Sequence, residues 1–195
     1  MLKIKNRTFF ILVFLMALIV TVSNYLVNFP VKYFGLENLL TYGAFSYPVA
    51  FLITDLTNRK YGKIFAKKIV YVGFTFGVFL TLYFSINYSD LISIRIGIGS
   101  GTAFLVAQLI DVNIFHRLRK KTWFVAPLTS SMIGSTIDTF LFFSISFYGT
   151  GINWITLSFG DLFVKIFVAL AMLIPFRLLL SKIKENSATE KKFSV

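Results

Sequence analysis

Long apolar runs, broken at short intervals by clusters of basic residues, set the pattern of this chain. Six stretches, at about 9–29, 34–56, 69–88, 91–115, 123–148 and 152–180, each hold about 20 or more mostly apolar residues. That is the length at which an α-helix crosses the hydrocarbon layer of a bilayer. The few polar residues inside them recur at helical spacing. Ser131, Ser135, Asp138 and Phe142 share one face of the fifth stretch, and Gly101, Phe104, Gln108, Asp111 and Phe115 share one face of the fourth. The pattern predicts an all-α membrane protein: one domain of six transmembrane helices over 1–181, then a polar tail over 182–195. The basic N-terminus and first apolar run look at first like a secretory signal. The run is long, however, and no small-residue cleavage site closes it, so it is expected to be the first span.

The charge pattern adds an orientation. Seventeen of the 20 basic residues lie before span 1, between spans 2 and 3, between spans 4 and 5, or at and beyond the end of span 6. The alternate loops hold Lys32, Glu37 and Asp90. Positive residues accumulate on the cytoplasmic side, so both termini are expected there. Trp123 and Trp154 fall at span ends, where interfacial aromatics belong. The net charge of +12 could suggest nucleic acid, but its confinement to short inter-span clusters points to membrane topology instead. With no cysteine and a single histidine, His116, placed in a basic loop, disulfides, thiolate sites and histidine-based metal or catalytic sites are not expected. Gly99, Ser100 and Gly101 lack the G-x-S-G spacing of an intramembrane serine protease, and Asp111 and Asp138 stand alone on their spans, so no enzyme and no cofactor is expected. No P-loop is present, so any ATP hydrolysis would fall to another protein.

Charges inside the spans carry the candidate chemistry. Each costs roughly 2.5–3.5 kcal/mol at a helix centre and therefore marks a site by default. At 1.5 Å per residue, Asn24, Asp138, Asp161 and Lys165 fall between mid-membrane and the outer half. Arg95 sits about one turn below the outer surface, while Asp55 and Asp111 lie near the cytoplasmic ends of spans 2 and 4. Two layers are thus expected. Asn24, Gln108, Ser135, Asp138, Asp161 and Lys165 are the candidate substrate-binding set. Asp55 and Asp111 are candidates for an inner gate, with Arg95 at the outer mouth. Asp161 and Lys165 are four residues apart and can pair; the bland alternative is a salt bridge that only fixes span 6. Asp55 and Asp111 can equally be plain ion pairs with Arg59, Lys60 or Arg117. Span boundaries put Asp111 and Asp138 roughly 16 Å apart in depth. Ser93, Gly97 and Gly101, like Ala103 and Ala107, have the spacing of tight helix packing. Pro48 inside span 2 is expected to kink it.

Seven stretches combine into a specific signature: SNYLVN at 23–28, YGAFSYP at 42–48, ITDLTNRKYG at 53–62, FLVAQLID at 104–111, FHRLR at 115–119, STID at 135–138 and DLFVK at 161–165. Together they resemble the bacterial queuosine precursor transporter family, also called the VUT family, from about Ser23 to Arg177. The resemblance implies inner-membrane uptake of 7-deazaguanine bases, 7-cyano-7-deazaguanine (preQ0) and 7-aminomethyl-7-deazaguanine (preQ1), for salvage into tRNA queuosine. It also implies kinship with the six-helix substrate-binding subunits of energy-coupling-factor vitamin transporters. The alternative it leaves is therefore a binding subunit that needs a separate ATPase module. The expected partners are the base and the lipid bilayer, with a homo-oligomer or an ATPase open. The residues suit such a base. A carboxylate, Asp138 or Asp161, can accept the N1–H and 2-amino donors side by side. Asn24 and Gln108 can read another edge, and Phe and Tyr faces can stack. Protons carried by Asp138 or Asp161, or trapping by downstream modification, can supply the energy.

Overall fold

Gly62 shows how closely the helices follow one another. Its φ of 84° is open to glycine at little cost, and its N–H closes on Asn58 O at 2.9 Å. One helix ends there and the next begins one residue later. In the computed structural model, which describes residues 6–33, 40–84 and 90–180, the order is α1 (Asn6–Leu26), α2 (Gly43–Tyr61), α3 (Lys63–Phe84), α4 (Leu91–Leu118), α5 (Val125–Phe147) and α6 (Trp154–Leu180). The only other pairing among the described residues is a short clasp before α2. There Pro30 bridges Thr41, Val31 N–H donates to Leu40 O at 2.9 Å, and Tyr42 N–H donates to Phe29 O at 3.0 Å. The tail over 182–195 and part of the expected second span, 34–39, lie outside the described residues.

The six expected spans are six helices, with shifted ends. Among the described residues the second helix starts at Gly43 and runs on through Tyr61, past the expected end at 56. At Gly43 a Cβ would meet Val27 Cγ2 at 2.7 Å, so the chain just past α1 crosses the start of α2 in direct contact. Arg59 and Lys60 therefore lie in the last turn of α2, and Lys63, Lys67 and Lys68 in the first turns of α3. His116, expected in a loop, lies in the last turn of α4. Among the described residues, five helices are long and apolar enough to cross a membrane; α2 is not one of them. Its polar residues explain that, and its position explains how they are tolerated. The chain is a multi-pass membrane protein.

The ring of neighbours runs α1, α3, α4, α5, α6, and α2 packs on all five. Ten of the 19 residues of α2 are buried, including Tyr47, Thr54, Asp55, Thr57 and Asn58. In α6 only Ser158, Asp161, Lys165, Ala169 and Phe176 are buried, a stripe at helical spacing. Phe159, Phe163, Phe167, Ile174 and Leu178 of α6 are exposed on its other side, as lipid-facing residues should be. Close packing uses small residues: Ala103 and Ala107 are fully buried, as expected, and glycines outside the expected set make the tightest approaches. A Cβ on Gly73 or Gly77 of α3 would strike Met16 or Val20 of α1 at 2.6–2.7 Å, and one on Gly99 would strike Ser146 Oγ at 2.4 Å. Gly101 has ordinary contacts with Phe74 and Val78. Gly97 and Ser93 line a crevice instead.

All the described basic clusters meet at one end of the bundle. Arg59 Nη1 donates to Arg119 O, and Arg119 Nη2 returns a bond to Arg59 O at 2.9 Å, clasping the ends of α2 and α4. Lys68 of α3 lies over the Phe9 ring of α1, and Arg177 of α6 over Trp123. Cations at the C-terminal ends of α2, α4 and α6 suit the helix dipole. Those at the start of α3 do not, so helix stability alone does not account for the cluster.

Candidate functional site

Each of the six helices contributes a polar group to one buried layer. On α6, Asp161 and Lys165 are one turn apart, and the Lys165 ammonium reaches Asp161 Oδ2 at 2.6 Å. The same ammonium crosses to α5, meeting Asp138 Oδ2 at 2.9 Å and Thr139 Oγ1 at 3.2 Å. Thr139 Oγ1 in turn donates to Asp161 Oδ2 at 2.8 Å. Lys165 also lies over the Tyr47 ring of α2, 5.1 Å from its centroid, which adds a cation–π contact. Beyond the ring, Tyr47 O–H donates to Asn24 Oδ1 of α1 at 2.5 Å and meets Ser100 Oγ of α4 at 2.5 Å. Ser100 also bonds Asn24 Oδ1, and Asn24 Nδ2 donates to Thr81 Oγ1 of α3 at 3.0 Å. Phe104 flanks Tyr47, with ring centroids 6.1 Å apart, and stacks on Phe74.

This network joins Asn24, Asp138, Asp161 and Lys165, as their depths suggest. Two carboxylates face one ammonium, so the trio carries an excess of acceptors. The bonds from Lys165 go to Oδ2 of each aspartate, leaving the Oδ1 atoms outside the ion pairs. Tyr47 is the residue missed as a member: it links the hydroxyl–amide half of the layer to the ionic half. Its signal was present, because Tyr47, Phe51, Thr54, Asp55 and Asn58 form one stripe at helical spacing on α2.

Gln108 and Ser135 belong one step nearer the basic end. Thr54 donates to Gln108 Oε1 at 2.7 Å, while Gln108 Nε2 and Ser135 Oγ are buried without a partner. Next to them lie Asp55 and Asp111, their carboxyls within hydrogen-bonding range of each other. Ser130 and Ser131 donate to Asp55 at 3.4 Å each. Asn58 Nδ2 donates to Val112 O at 2.9 Å. The expected ion pairs of Asp55 and Asp111 with Arg59, Lys60 or Arg117 do not form among the described residues, since the arginine at the end of α2 is spent on a backbone carbonyl. Nor does either candidate acid stand alone: α2 brings Asp55 to Asp111, and α6 brings Asp161 to Asp138.

Depth also needs correction. Gly134 of α5 lies against Asp111 of α4, an added Cβ coming 3.5 Å from Asp111 Cβ. Asp138 is one turn beyond Gly134, so the two layers are separated by about 6 Å rather than 16 Å. Most of the difference, about 7.5 Å, arises because α4 continues three residues past its expected end and α5 starts two residues late. Arg95 reaches across from α4 to the end of α5. Its guanidinium donates to Ile145 O at 3.0 and 3.3 Å and to Tyr148 O at 2.7 Å, capping the free carbonyls at the end of α5.

Two crevices approach the layers from different faces. One, between α1, α3 and α4, is lined by Asn24, Asn28, Thr81, Ser93 and Ser100. The other, between α2, α5 and α6, is lined by Pro48, Asp55, Pro127, Ser131 and Phe176. Both are narrow, with room for about one water molecule. The Tyr47–Lys165 contact lies between them.

Residues 41–180 match the family model described as "Putative vitamin uptake transporter". The chain belongs to that family. The match runs from just before α2 to the end of α6 and takes in every candidate residue except Asn24. Over 88% of this chain and 85% of the relative, it is 35% identical to a "Probable queuosine precursor transporter" of Haemophilus influenzae. It is 30% identical to the "Queuosine precursor transporter" of Escherichia coli, over 81% of this chain and 79% of that one. A Bacillus subtilis relative with the same name as the first is 29% identical over 61% of this chain and 60% of its own. No solved structure matches the chain.

Proposed function

We propose that this protein imports queuosine precursors, the 7-deazaguanine bases preQ0 and preQ1, across the bacterial inner membrane. The observation that carries this is the six-helix polar layer around Lys165 in a chain whose relatives are named as transporters of such precursors. The relatives' names also weigh against a binding subunit that depends on a separate ATPase, and against an enzyme. The positive-inside rule puts the basic end, and with it both termini, in the cytoplasm.

In this scheme the base enters between Tyr47 and the Lys165 trio. One carboxylate, Asp138 or Asp161, accepts N1–H and the 2-amino group side by side. Lys165 is the counter-charge of that carboxylate before the base arrives, so binding exchanges one charge-assisted contact for another instead of burying a bare charge. Tyr47 and Phe104 offer ring faces, and Asn24 offers both a donor and an acceptor to a second edge. Opening requires α2 and α6 to part. Helix α6 is suited to that movement because its substantial contacts are with α5 and α2 alone.

The test is uptake of labelled preQ1 by a salvage-dependent strain that lacks its own transporter. The expected result is restored uptake on expression of this chain. No uptake despite confirmed membrane insertion would sink the proposal. Uptake by the purified protein in liposomes would separate it from an ATPase-dependent subunit.

A further inference from the structure

The acids of the Lys165 cluster have a cation; those about one turn nearer the basic end have none. Asp55 and Asp111 are 2% and 0% exposed, with carboxyls in mutual hydrogen-bonding range. The two hydroxyl contacts to Asp55 are long for bonds to a carboxylate. The Ser130 hydroxyl is also within reach of Asp111, but it makes no well-formed hydrogen bond to either Asp111 oxygen.

Among the described residues the surroundings offer no counter-charge. From α2, the Thr54 hydroxyl is spent on Gln108 and the Asn58 Nδ2 on Val112 O, and from α4 the Gln108 amide, whose Nε2 has no partner, is neutral. From α5 come Ser130, Ser131, Gly134 and the unpartnered Ser135. From α6, Met172, Leu173 and Phe176 line the crevice beside Asp55. Arg59 and Arg119, at the ends of α2 and α4, are clasped to each other's carbonyls. A buried, ionised carboxylate without donors is strongly disfavoured. Two carboxyls in contact resolve this by sharing a proton, the acid form donating to the ionised one. A metal cation is less suited: among the described residues no third His, Cys, Asp or Glu joins the pair to complete a ligand set.

We propose that Asp55 and Asp111 form a shared-proton site that couples proton movement to transport. It is separate from the Lys165 cluster and exchanges its proton with water through the crevice between α2, α5 and α6. This rests on the transporter reading, and it moves the proton carrier away from Asp138 and Asp161. The proton leaves one carboxyl for water at the basic end, and the pair then carries two negative charges. That state is unstable while buried, so it ties deprotonation to opening of the crevice.

Two measurements test it. The first needs no substrate: infrared spectra of the purified protein in lipid nanodiscs. The expected result is a carbonyl-stretch band of a protonated carboxylic acid, lost in both Asp55→Asn and Asp111→Asn, kept in Asp138→Asn and shifted in Asp111→Glu. No such band, or its survival in both asparagine variants, overturns the site. The second uses proteoliposomes and labelled preQ1. An inward gradient of one pH unit should sustain about tenfold accumulation if one proton moves with each base. Asp111→Asn should lose that accumulation while still exchanging labelled for unlabelled base. Accumulation driven by sodium instead, or an undiminished pH response in Asp111→Asn, overturns the coupling. Failure of the parent protein to move preQ1 at all would count against the substrate, and the infrared arm would then decide the proton site by itself.

Discussion

The two polar layers of this bundle are built from the same side chains and reach opposite electrostatic solutions. Around Lys165, two aspartates, a threonine and a tyrosine ring surround one ammonium, which lies 2.6–2.9 Å from both carboxylates and offsets one of their two negative charges. About one helical turn away, Asp55 and Asp111 meet with serines for company and no cation. The lesson is that a membrane interior can hold acids in two ways. A fixed counter-ion makes a site that stays charged and suits a polar ligand. A shared proton makes a site whose charge can change.

Removing Lys165 should have the largest effect. Lys165→Met leaves two carboxylates facing each other without their cation, and breaking a buried pair in this way costs about 3–5 kcal/mol. The variant should melt far below the parent in detergent and show no uptake. If it melts like the parent, the trio is not held together by charge and the contrast between the layers fails.

Smaller but specific losses are expected on the carboxylate side. Asp138→Asn and Asp161→Asn should each lower uptake about tenfold to a hundredfold at unchanged protein level, because hydrogen bonds to charged groups contribute ~1.5–3 kcal/mol. Full activity in both would move the substrate site elsewhere. Tyr47→Phe removes the hydroxyl that joins Asn24 and Ser100 to the ionic half of the layer. It should weaken uptake by a few-fold, on the scale of ~1 kcal/mol for a neutral hydrogen bond, and comparison of KM with maximal rate would locate the loss.

The smallest change in stability is expected at the other layer. An amide in place of the Asp111 carboxyl can donate to Asp55 much as a shared proton does. Asp111→Asn should therefore shift the melt by no more than about 1 kcal/mol equivalent. A drop as deep as that of Lys165→Met would mean that Asp111 is held as a charge by partners outside this pair.

What the sequence determined by itself was the periodic part. Six apolar runs, the alternation of basic clusters and the i, i+4 spacing of Asp161 and Lys165 follow from helix geometry and bilayer thickness, so six helices, a single basic end and that ion pair were legible. So were the membership of Asn24 and Asp138 in one layer and of Asp55 and Asp111 in another. Tertiary structure decided the partners and the distances. Which helix faces meet depends on close approaches at glycines such as Gly43, Gly99 and Gly134, and no periodicity encodes the register at which two helices touch. That register put Tyr47 at the centre, set Arg95 to cap α5, moved Gln108 toward Thr54 and brought the layers to within about 6 Å of each other. It also paired Asp55 with an acid where sequence proximity favoured Arg59 and Lys60. Side chains four residues apart on one helix are fixed by local geometry, whereas those on different helices meet only through packing.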